Sequence, residues 1–276
     1  MGADNIPFHT IMLPASLIGT KDNYNLVNKI FTSKIIKYQG DVFSKSSNKG
    51  TFCDKVIDIS NKLNLNNDWR YYLIKIRPEN NDSNFTWQGF VDECNADLAN
   101  NFGNLVNRCF NMARNYRNNT IQCIDLFENE NTKTLFSNLS SNIESYHNLM
   151  ESGNFKNAQN IAILISSIVN KTIIMTKPWD IFKQYPNSKD IDVFLVFCLI
   201  SIKISCLLLN PFIPDSAQKI SNRIIITPSI DEAIYCNQIH FINELSDVMI
   251  SIDMDNYEIP FKKIIYKQII DLLDAK

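Results

Sequence analysis

The sequence has little net charge and no paired cysteines. Its 27 lysines and arginines nearly balance 29 aspartates and glutamates, which leaves a formal net charge of -2. Nucleic-acid binding by bulk electrostatics depends on the release of many counterions, so this balance argues against it and permits local recognition of a few bases. The seven cysteines include no Cys-x-x-Cys pair, which argues against a disulfide framework or a thiolate zinc site and favours reduced, buried thiols. We therefore expect no protein-bound metal.

Signal-peptide and membrane-span features are also weak or missing. Residues 1–10 lack the basic start and the apolar run of a signal peptide. One apolar stretch, Ile191–Leu209, has nearly the length needed to cross a bilayer, but Asp192 and Lys203 interrupt it and Pro211 follows it. Its length and charges favour a buried helix over a membrane span. We expect a cytoplasmic protein with no membrane partner.

Apolar residues at helical spacing are abundant. With 276 residues, 45% of them hydrophobic, the chain can form one or two domains with ample core. From Trp87 to Phe110 these residues recur at the spacing of one long amphipathic helix. A strand is predicted at Ile35–Tyr38, and the polar segment Arg77–Asn84 resembles a linker or joint. Further helices are predicted at Pro7–Ile18, Asp54–Leu63, Trp69–Ile76, Leu135–Met150, Phe155–Met175, Asp190–Leu209 and Pro214–Arg223.

A lysine between two serines marks the first candidate site. Lys45 stands between Ser44 and Ser46 in the segment Asp41–Gly50, which follows the predicted strand and precedes the next predicted helix. Glycines at both ends of this loop permit unusual backbone angles. Such a loop suits the binding of a polyphosphate, and the alternative is a solvated Lys/Ser turn.

Several motifs in a fixed order surround this loop. They are Gly2–Thr10 followed by Leu13–Ala15, then Tyr71–Leu73, Arg77–Glu79, Asp82–Trp87 and Asn95–Leu98. With these motifs the chain resembles methionyl-tRNA synthetase, a class I aminoacyl-tRNA synthetase, and looks closest to the eukaryotic type. The resemblance runs essentially from Met1 to the C-terminus.

The resemblance implies the C-terminal half of such an enzyme, because the family's His-x-Gly-His motif and its inserted, often zinc-bearing domain are absent from the sequence. The implied fold is mainly α. It comprises a remnant of an α/β Rossmann-type catalytic domain at 1–52, a helical connecting joint at 53–86 and an all-α anticodon-binding helix bundle at 87–276. The implied activity is ATP-dependent activation of L-methionine and transfer of the methionyl group to tRNA(Met).

The resemblance gives the lysine loop a catalytic role. The family signature Lys-Met-Ser-Lys-Ser or Lys-Phe-Ser-Lys-Ser reads Val-Phe-Ser-Lys-Ser at 42–46. Lys45, with Ser44 and Ser46 beside it, would stabilise the charge that builds on the departing pyrophosphate when Mg-ATP reacts. Valine replaces the first lysine of the signature, and Lys49 could supply some of the missing charge.

Asp4, Asn5 and His9 are the candidate substrate-binding residues. By resemblance, His9 lies at the position that recognises the methionine side chain, and Asp4 at the position that contacts the ribose or its surroundings. Ala3 stands where the family usually has lysine. From the residues alone, Asp4-Asn5 is expected to cap the helix that begins near Pro7, and a histidine in an apolar helix is more often packed or on the surface.

Asn104, Arg108 and Trp179 are the candidate anticodon-binding residues. The first two are separated by one helical turn and project from the same face. By resemblance, this Asn-x-x-x-Arg pair and the Trp of a Pro-Trp dipeptide recognise the CAU anticodon. Unpaired RNA bases are read by stacking on aromatic rings and by hydrogen bonds at their edges, which suits these residue types. The alternatives are a core aromatic for Trp179 and a surface cation for Arg108.

A second reading of the function belongs to a different class. Without the His-x-Gly-His half, the groups that meet ATP from the opposite side are absent from the sequence, so the stabilisation of charge is incomplete. The chain could then be a non-catalytic tRNA-binding module, or a partner that completes an N-terminal catalytic half encoded elsewhere. Exposed apolar surface is expected where that half would lie.

Overall fold

Helices form most of the chain. The computed structural model describes residues 1–47, 49–128, 130–235, 245, 247–258 and 260–274, so that Cys236 lies outside the described residues. The α-helices are α1 (Leu13–Gly19), α2 (Cys53–Leu63), α3 (Asn66–Lys75), α4 (Trp87–Cys94), α5 (Asn104–Arg117), α6 (Glu130–Glu151), α7 (Phe155–Thr176), α8 (Pro178–Gln184), α9 (Lys189–Leu209), α10 (Pro214–Ser221), α11 (Asp231–Tyr235) and α12 (Tyr266–Asp274). The strands are β1 (Ile36–Tyr38), β2 (Ser83–Phe85), β3 (Thr120–Cys123), β4 (Ile224–Thr227) and β5 (Val248–Ile252).

The helices predicted from apolar periodicity are present, with ends that differ by a few residues. For example, α6 begins at Glu130 rather than Leu135. The predicted long amphipathic helix is confirmed as a continuous helical path from Trp87 to Arg117, in which a π-helical segment, Asn95–Gly103, joins α4 to α5. The prediction succeeds here because a helix that buries one face needs apolar residues at helical spacing, and this spacing can be recognised in a short stretch of sequence.

The core of the bundle is built around α9. By length and composition, the stretches Phe155–Gln184 and Lys189–Leu209 could each cross a membrane. In the folded chain, 89% of the most apolar part of the second stretch is buried. This stretch is α9, and α5, α6, α7 and α10 pack around it. A core helix has this environment, so the predicted buried helix is confirmed.

A small antiparallel sheet, which the sequence did not predict, packs on α9. Its strand order is β3-β5-β4, and Ile250 in the central strand pairs with Ile121 on one side and Ile226 on the other. These three isoleucines are buried, whereas Ile225 and Met249 on the opposite face are exposed. The strands are short and far apart in sequence, so local patterns gave little sign of them. The expected fold class, mainly α with an α/β remnant, is confirmed, and this sheet is added to the bundle.

The segment Arg77–Asn84, predicted as a polar linker or joint, leads into strand β2. This strand pairs in parallel with β1, and Tyr38 lies opposite Phe85 in the register. The side chain of Arg77 donates from Nη1 to the carbonyl of Gly153 at 2.9 Å. Both contacts tie the joint to its neighbours, the first to the N-terminal region and the second to the turn between α6 and α7.

Phe85 lies at the centre of an aromatic cluster that joins the two parallel strands to the helices. Its ring stacks with Tyr38 at 5.8 Å and with Trp69 at 5.9 Å, and it meets Trp87 edge-on at 5.3 Å. Trp69 stacks in turn on Phe90 at 4.5 Å. Aromatic pairs contribute roughly 0.5–1.5 kcal/mol each beyond the burial of their area. The cluster therefore fixes β1 and β2 against α3 and α4.

Lys203 is a buried cation in α9 that links this helix to three other elements. Its Nζ donates to the carbonyls of Ser221 at 3.1 Å and Ile224 at 3.3 Å. The same atom lies 3.2 Å from Oδ2 of Asp231. The lysine that interrupts the apolar stretch in the sequence is therefore accommodated by two carbonyls and a carboxylate.

We expect Lys203→Ala to lower the free energy of unfolding by about 3 kcal/mol, because it opens a cavity and leaves two carbonyls without their donor. Urea unfolding followed by circular dichroism measures this change. Lys171→Ala, at an exposed position of α7, is the control and is expected to cost less than about 0.5 kcal/mol. Equal costs for the two substitutions would contradict a stabilising role for the buried lysine.

Candidate functional site

The lysine loop is a tight turn with its candidate residues at the tip. The backbones of Ser44 and Lys49 exchange hydrogen bonds of 3.0 and 2.8 Å, which close the turn. The hydroxyl of Ser44 accepts from the backbone N–H of Ser47 at 3.3 Å and lies 3.3 Å from the hydroxyl of Ser46. Lys45 and Ser46 are exposed. The turn therefore presents the Lys45 ammonium to a ligand from solvent.

Tyr38 anchors this loop to the body of the protein. Its backbone exchanges hydrogen bonds of 2.7 and 3.0 Å with Asp41 at the start of the loop. Its ring lies 5.3 Å from the ring of Phe43. Its hydroxyl accepts from Nε1 of Trp87 at 3.0 Å and bonds to the hydroxyl of Thr51 at 2.8 Å. The backbone and side chain of this one residue thus hold the beginning of the loop, its middle and the residue that follows it against the aromatic cluster.

Lys49 has an acidic partner inside the loop. Its Nζ lies 2.8 Å from Oδ2 of Asp41, and both side chains are at least half exposed. An exposed pair of this kind contributes 0 to about 1 kcal/mol, so a ligand phosphate could compete for the lysine. The suggestion that Lys49 supplies charge in place of the first signature lysine stays a prediction.

Asp4 and Asn5 lie in a short 3-10 helix, Ala3–Asn5, and the expected cap is wrong. Neither the 3-10 helix nor the π-helical turn that begins after Pro7 has a side-chain hydrogen bond at its N-cap. The backbone N–H of Ala3 instead donates to the carbonyl of Ser33 at 3.1 Å, which sets the N-terminal segment beside the approach to β1. The segment is therefore held by a backbone pairing with a residue distant in sequence, without a side-chain cap at either N-cap.

His9 is half-buried in the π-helical turn Phe8–Met12. Among the residues that the structure describes, neither His9 nor Asp4 forms a hydrogen bond or an ion pair with the lysine loop. The candidate substrate-binding residues and the lysine loop are therefore not joined by such a bond. Their roles in substrate binding stay predictions.

Asn104 and Arg108 lie on one face of α5 beside α7. Asn104 is exposed, and Arg108 is half-buried. The guanidinium donates from Nη1 to Oδ1 of Asn170 on α7 at 3.5 Å. This contact is a long hydrogen bond, so the guanidinium keeps most of its donors free. Arg108 is therefore held on one side and open on the other, unlike a freely solvated surface cation.

Trp179 is exposed in the first turn of α8. Lys177 ends α7 in the left-handed conformation with φ of 49°, and Pro178 begins α8. This abrupt change of direction leaves 43% of the Trp179 surface accessible. The alternative of a core aromatic is therefore wrong. An exposed indole ring beside polar groups can stack on an unpaired base.

The helix α8 is fixed close to the end of α5. Phe182 of α8 stacks on Tyr116 of α5 with centroids 4.1 Å apart, and burial raises the pKa of the Tyr116 phenol. Arg108 on α5 and Trp179 on α8 therefore belong to two helices that are in contact.

Two residues of this region were missed by the sequence analysis. Asn101 and Asn170 connect α7 to the π-helical segment, and Nδ2 of Asn101 donates to the hydroxyl of Ser167 at 2.8 Å. The available signal was the pair of polar residues Ser167 and Asn170, which are three residues apart in α7 and so share one helix face. Such residues need partners when a helix packs, so they mark positions of contact with polar neighbours.

Of the six thiols that the structure describes, five are buried as expected, whereas Cys53 at the start of α2 is exposed and corrects that expectation. The buried ones are Cys94, Cys109, Cys123, Cys198 and Cys206. Burial raises the pKa of Cys123 to about 11, so its thiol stays protonated and unreactive at neutral pH. Within the described ranges, no group of three or more His, Cys, Asp or Glu residues could hold a metal ion.

The family is shown by two matches along the chain. Residues 1–110 match tRNA synthetases class I (M), and residues 127–271 match the anticodon binding domain of methionyl tRNA ligase. The second match alone covers more than half of the 276 residues. The chain belongs to the methionyl-tRNA synthetase family. The lysine loop and the Asn104–Arg108 face fall in the first match, and Trp179 falls in the second.

Curated relatives are about one-third identical to this synthetase-family chain over the aligned residues. A probable cytoplasmic methionine–tRNA ligase of Dictyostelium discoideum is 36% identical over 233 residues, which are 83% of this chain and 30% of the relative. The methionine–tRNA ligase of Acanthamoeba polyphaga mimivirus is 34% identical over 277 residues, covering 99% of this chain and 46% of the relative. The chain thus spans less than half the length of these two relatives.

A solved structure supports the fold. The methionyl-tRNA synthetase of Mycobacterium tuberculosis in complex with methionyl-adenylate superposes with a TM-score of 0.68 at 22% identity. The superposition covers 80% of this chain and 43% of that one. The architecture described above is therefore that of the corresponding part of a methionyl-tRNA synthetase.

Gly50 at the end of the lysine loop offers a test of its anchoring. Gly50 has φ of +124°, and a Cβ there would lie 2.6 Å from Cδ1 of Phe43, whereas Gly40 has φ of +93° with nothing within 4 Å of such a Cβ. We expect Gly50→Ala to add a steric cost to the backbone strain of roughly 1–3 kcal/mol that both alanines share. Hydrogen exchange of the loop amides should therefore accelerate more in Gly50→Ala than in Gly40→Ala. Equal exchange would mean that Phe43 does not hold the loop.

Proposed function

We propose that this chain supplies two parts of a methionine–tRNA ligase: the loop that stabilises pyrophosphate and the surface that recognises the anticodon of tRNA(Met). The overall reaction is activation of L-methionine by Mg-ATP and transfer of the methionyl group to the tRNA. Residues 1–52 would form the catalytic remnant, 53–86 the joint and 87–276 the anticodon-binding domain. Relatives named as cytoplasmic support a cytoplasmic location for the protein.

One observation carries this proposal: a single chain of this family presents both an exposed lysine at the tip of an anchored turn and, in its helical part, an exposed indole and a partly held guanidinium. Lys45 is exposed at the tip of this turn and would meet a departing pyrophosphate, whose negative charge grows in the transition state. The serines beside it would orient the phosphate oxygens by hydrogen bonding. Trp179 and Arg108 offer stacking and edge recognition.

Asp4, Asn5 and His9 would contribute to the methionine and nucleotide pocket. All three precede α1. They lie on the segment whose Ala3 pairs with Ser33, three residues before β1. Because β1 leads directly into the lysine loop, a substrate between these segments would meet both. A half-buried imidazole such as His9 offers both a flat apolar face and polar nitrogens to a thioether side chain.

The second candidate function is a non-catalytic tRNA-binding module or a half that completes a catalytic partner. The observation in its favour is the apolar surface of the N-terminal segment, where Phe8, Ile11, Met12 and Ile18 are each more than half exposed. Large exposed apolar patches mark protein interaction sites or aggregation-prone surfaces. The partner that such a surface would bind is the catalytic part that the longer relatives contain and this chain does not match.

We expect the purified 276 residues alone to give no methionine-dependent ATP–pyrophosphate exchange. Mixing them with the part of the mimivirus relative that this chain does not match should restore exchange. In that mixture, Lys45→Ala should lower the rate by about 100-fold, because one transition-state contact to developing charge is lost. The matched variant Lys49→Ala should lower it by less than about tenfold, because Asp41 already offsets its charge.

Three results would oppose these expectations. Exchange by the isolated chain would show that the second half is unnecessary. A complemented mixture in which Lys45→Ala matches the wild type would remove the pyrophosphate role from the loop. No exchange in any mixture, together with tight tRNA binding, would favour the non-catalytic module.

We expect Trp179→Ala to weaken binding of tRNA(Met) by about 10- to 100-fold, because stacking on an aromatic ring contributes roughly 1–3 kcal/mol per base. Filter binding or fluorescence anisotropy measures the affinity. Tyr266→Ala is the matched control, since this aromatic is 38% exposed but lies on α12. Unchanged affinity in Trp179→Ala, with the fold intact by circular dichroism, would refute the anticodon assignment.

A further inference from the structure

The orientation of Asn170 is fixed by the groups around it. Its Nδ2 donates to the backbone carbonyl and to Oδ1 of Asn101, each at 3.1 Å. Two acceptors on one side require the amide nitrogen there, so the amide oxygen faces the other side. Arg108 lies on that other side and donates to it. A flipped amide would set N–H groups against a guanidinium that has no acceptor, so only one orientation satisfies every partner.

Asn101 is held in turn by the unusual helix that contains it. The π-helical segment Asn95–Gly103 brings Asn101 against α7, where its side chain bonds to Ser167. The backbone N–H of Asn104 donates to the same Asn101 carbonyl that accepts from Asn170. π-Helical turns inside α-helices recur at functional sites. At the end of this segment the N–H of Asn104 is shared between the carbonyls of Ala99 and Asn101, so the Asn101 carbonyl accepts both from Asn104 and from the neighbouring helix.

We propose that Asn170 is a positioning residue for anticodon recognition, and this inference rests on the proposed function. Asn170 sets the direction of the Arg108 guanidinium through Oδ1 and the position of the Asn104 turn through the Asn101 carbonyl. A guanidinium held by one acceptor presents its remaining N–H groups as a fixed fork to a base edge. Asn170 itself need not touch RNA to determine which base is accepted.

A long guanidinium contact is suited to this task. At 3.5 Å the bond to Asn170 is too weak to compete with a good bidentate base contact, yet it restricts the rotamers that Arg108 adopts before RNA binds. Less side-chain entropy is then lost on binding. A short ion pair at this place would hold the guanidinium away from the RNA, which explains the value of an amide rather than a carboxylate.

The test compares affinities of the full chain for an RNA stem-loop with the anticodon CAU and for each single-base variant of that loop. We expect Asn170→Ala to weaken CAU binding by about tenfold, which corresponds to about 1.4 kcal/mol. It should also reduce discrimination at the same base position as Arg108→Ala does. The double variant should bind within about twofold of Arg108→Ala alone, because the two residues act as one unit.

Asn160→Ala is the matched control. Asn160 lies on the same helix, is also half-buried and accepts a hydrogen bond from a cation, Lys75, at 3.1 Å. Its removal should leave the preference among anticodons unchanged. Asn170→Asp provides a second variant of equal volume in case the alanine does not fold. Its carboxylate should draw Arg108 toward α7, so discrimination should fall in this variant too.

The outcomes separate this inference from the proposed function. If Arg108→Ala and Trp179→Ala both bind CAU RNA as the wild type does, the proposed function fails and the positioning role fails with it. If those variants lose affinity while Asn170→Ala and Asn170→Asp keep full discrimination, the positioning role alone is overturned. A uniform loss for every anticodon, or losses that add in the double variant, would also overturn it.

Discussion

The parallel pairing of β1 with β2 is the contact on which the rest of the structure depends. Through it Tyr38 reaches Phe85 and Trp87, and its hydroxyl, ring and backbone then hold three parts of the lysine loop. A loop that must stabilise developing charge needs a fixed base, because a donor that has to be reoriented during the reaction loses much of its effect. Burial of each large ring contributes roughly 1.5–3 kcal/mol, so the base is stable without help from the exposed loop tip.

The same cluster begins the helical path to the proposed anticodon face, which is the face of α5 that carries Asn104 and Arg108. Trp87 is the first residue of α4, and the helical path from there runs through the π-helical segment to Asn104 and Arg108. Helices in this path bury one face against α7 and α9, which gives them their direction. The distance between the lysine loop and the proposed anticodon face is therefore determined by the packed helical path from Trp87 to Arg117 rather than by a linker. A tRNA that spans both sites would meet a surface of fixed length.

The sequence predicted what local patterns encode. The helices followed from apolar spacing, and the lysine loop and Trp179 followed from short motifs in order. The sheet around Ile250 was missed because its strands meet only in the folded chain. The cap by Asp4 was wrong because a pairing with Ser33, distant in sequence, decides the conformation there. The partners of Arg108 could not be predicted, because they come from a second helix whose rotation depends on the whole core.

The proposed anticodon face is rich in uncharged amides, which agrees with the small net charge of the chain. The amide of Asn170 accepts from Arg108 there and is itself bonded to Asn101, and Asn104 lies one helical turn before Arg108. Amides both donate and accept, so they can meet base edges of either polarity, whereas lysines would bind any phosphate. Recognition by amides requires that each one be fixed in orientation, since a flipped amide reverses the pattern it presents. A network of mutually satisfied asparagines achieves this fixation without the bulk positive charge that the sequence lacks.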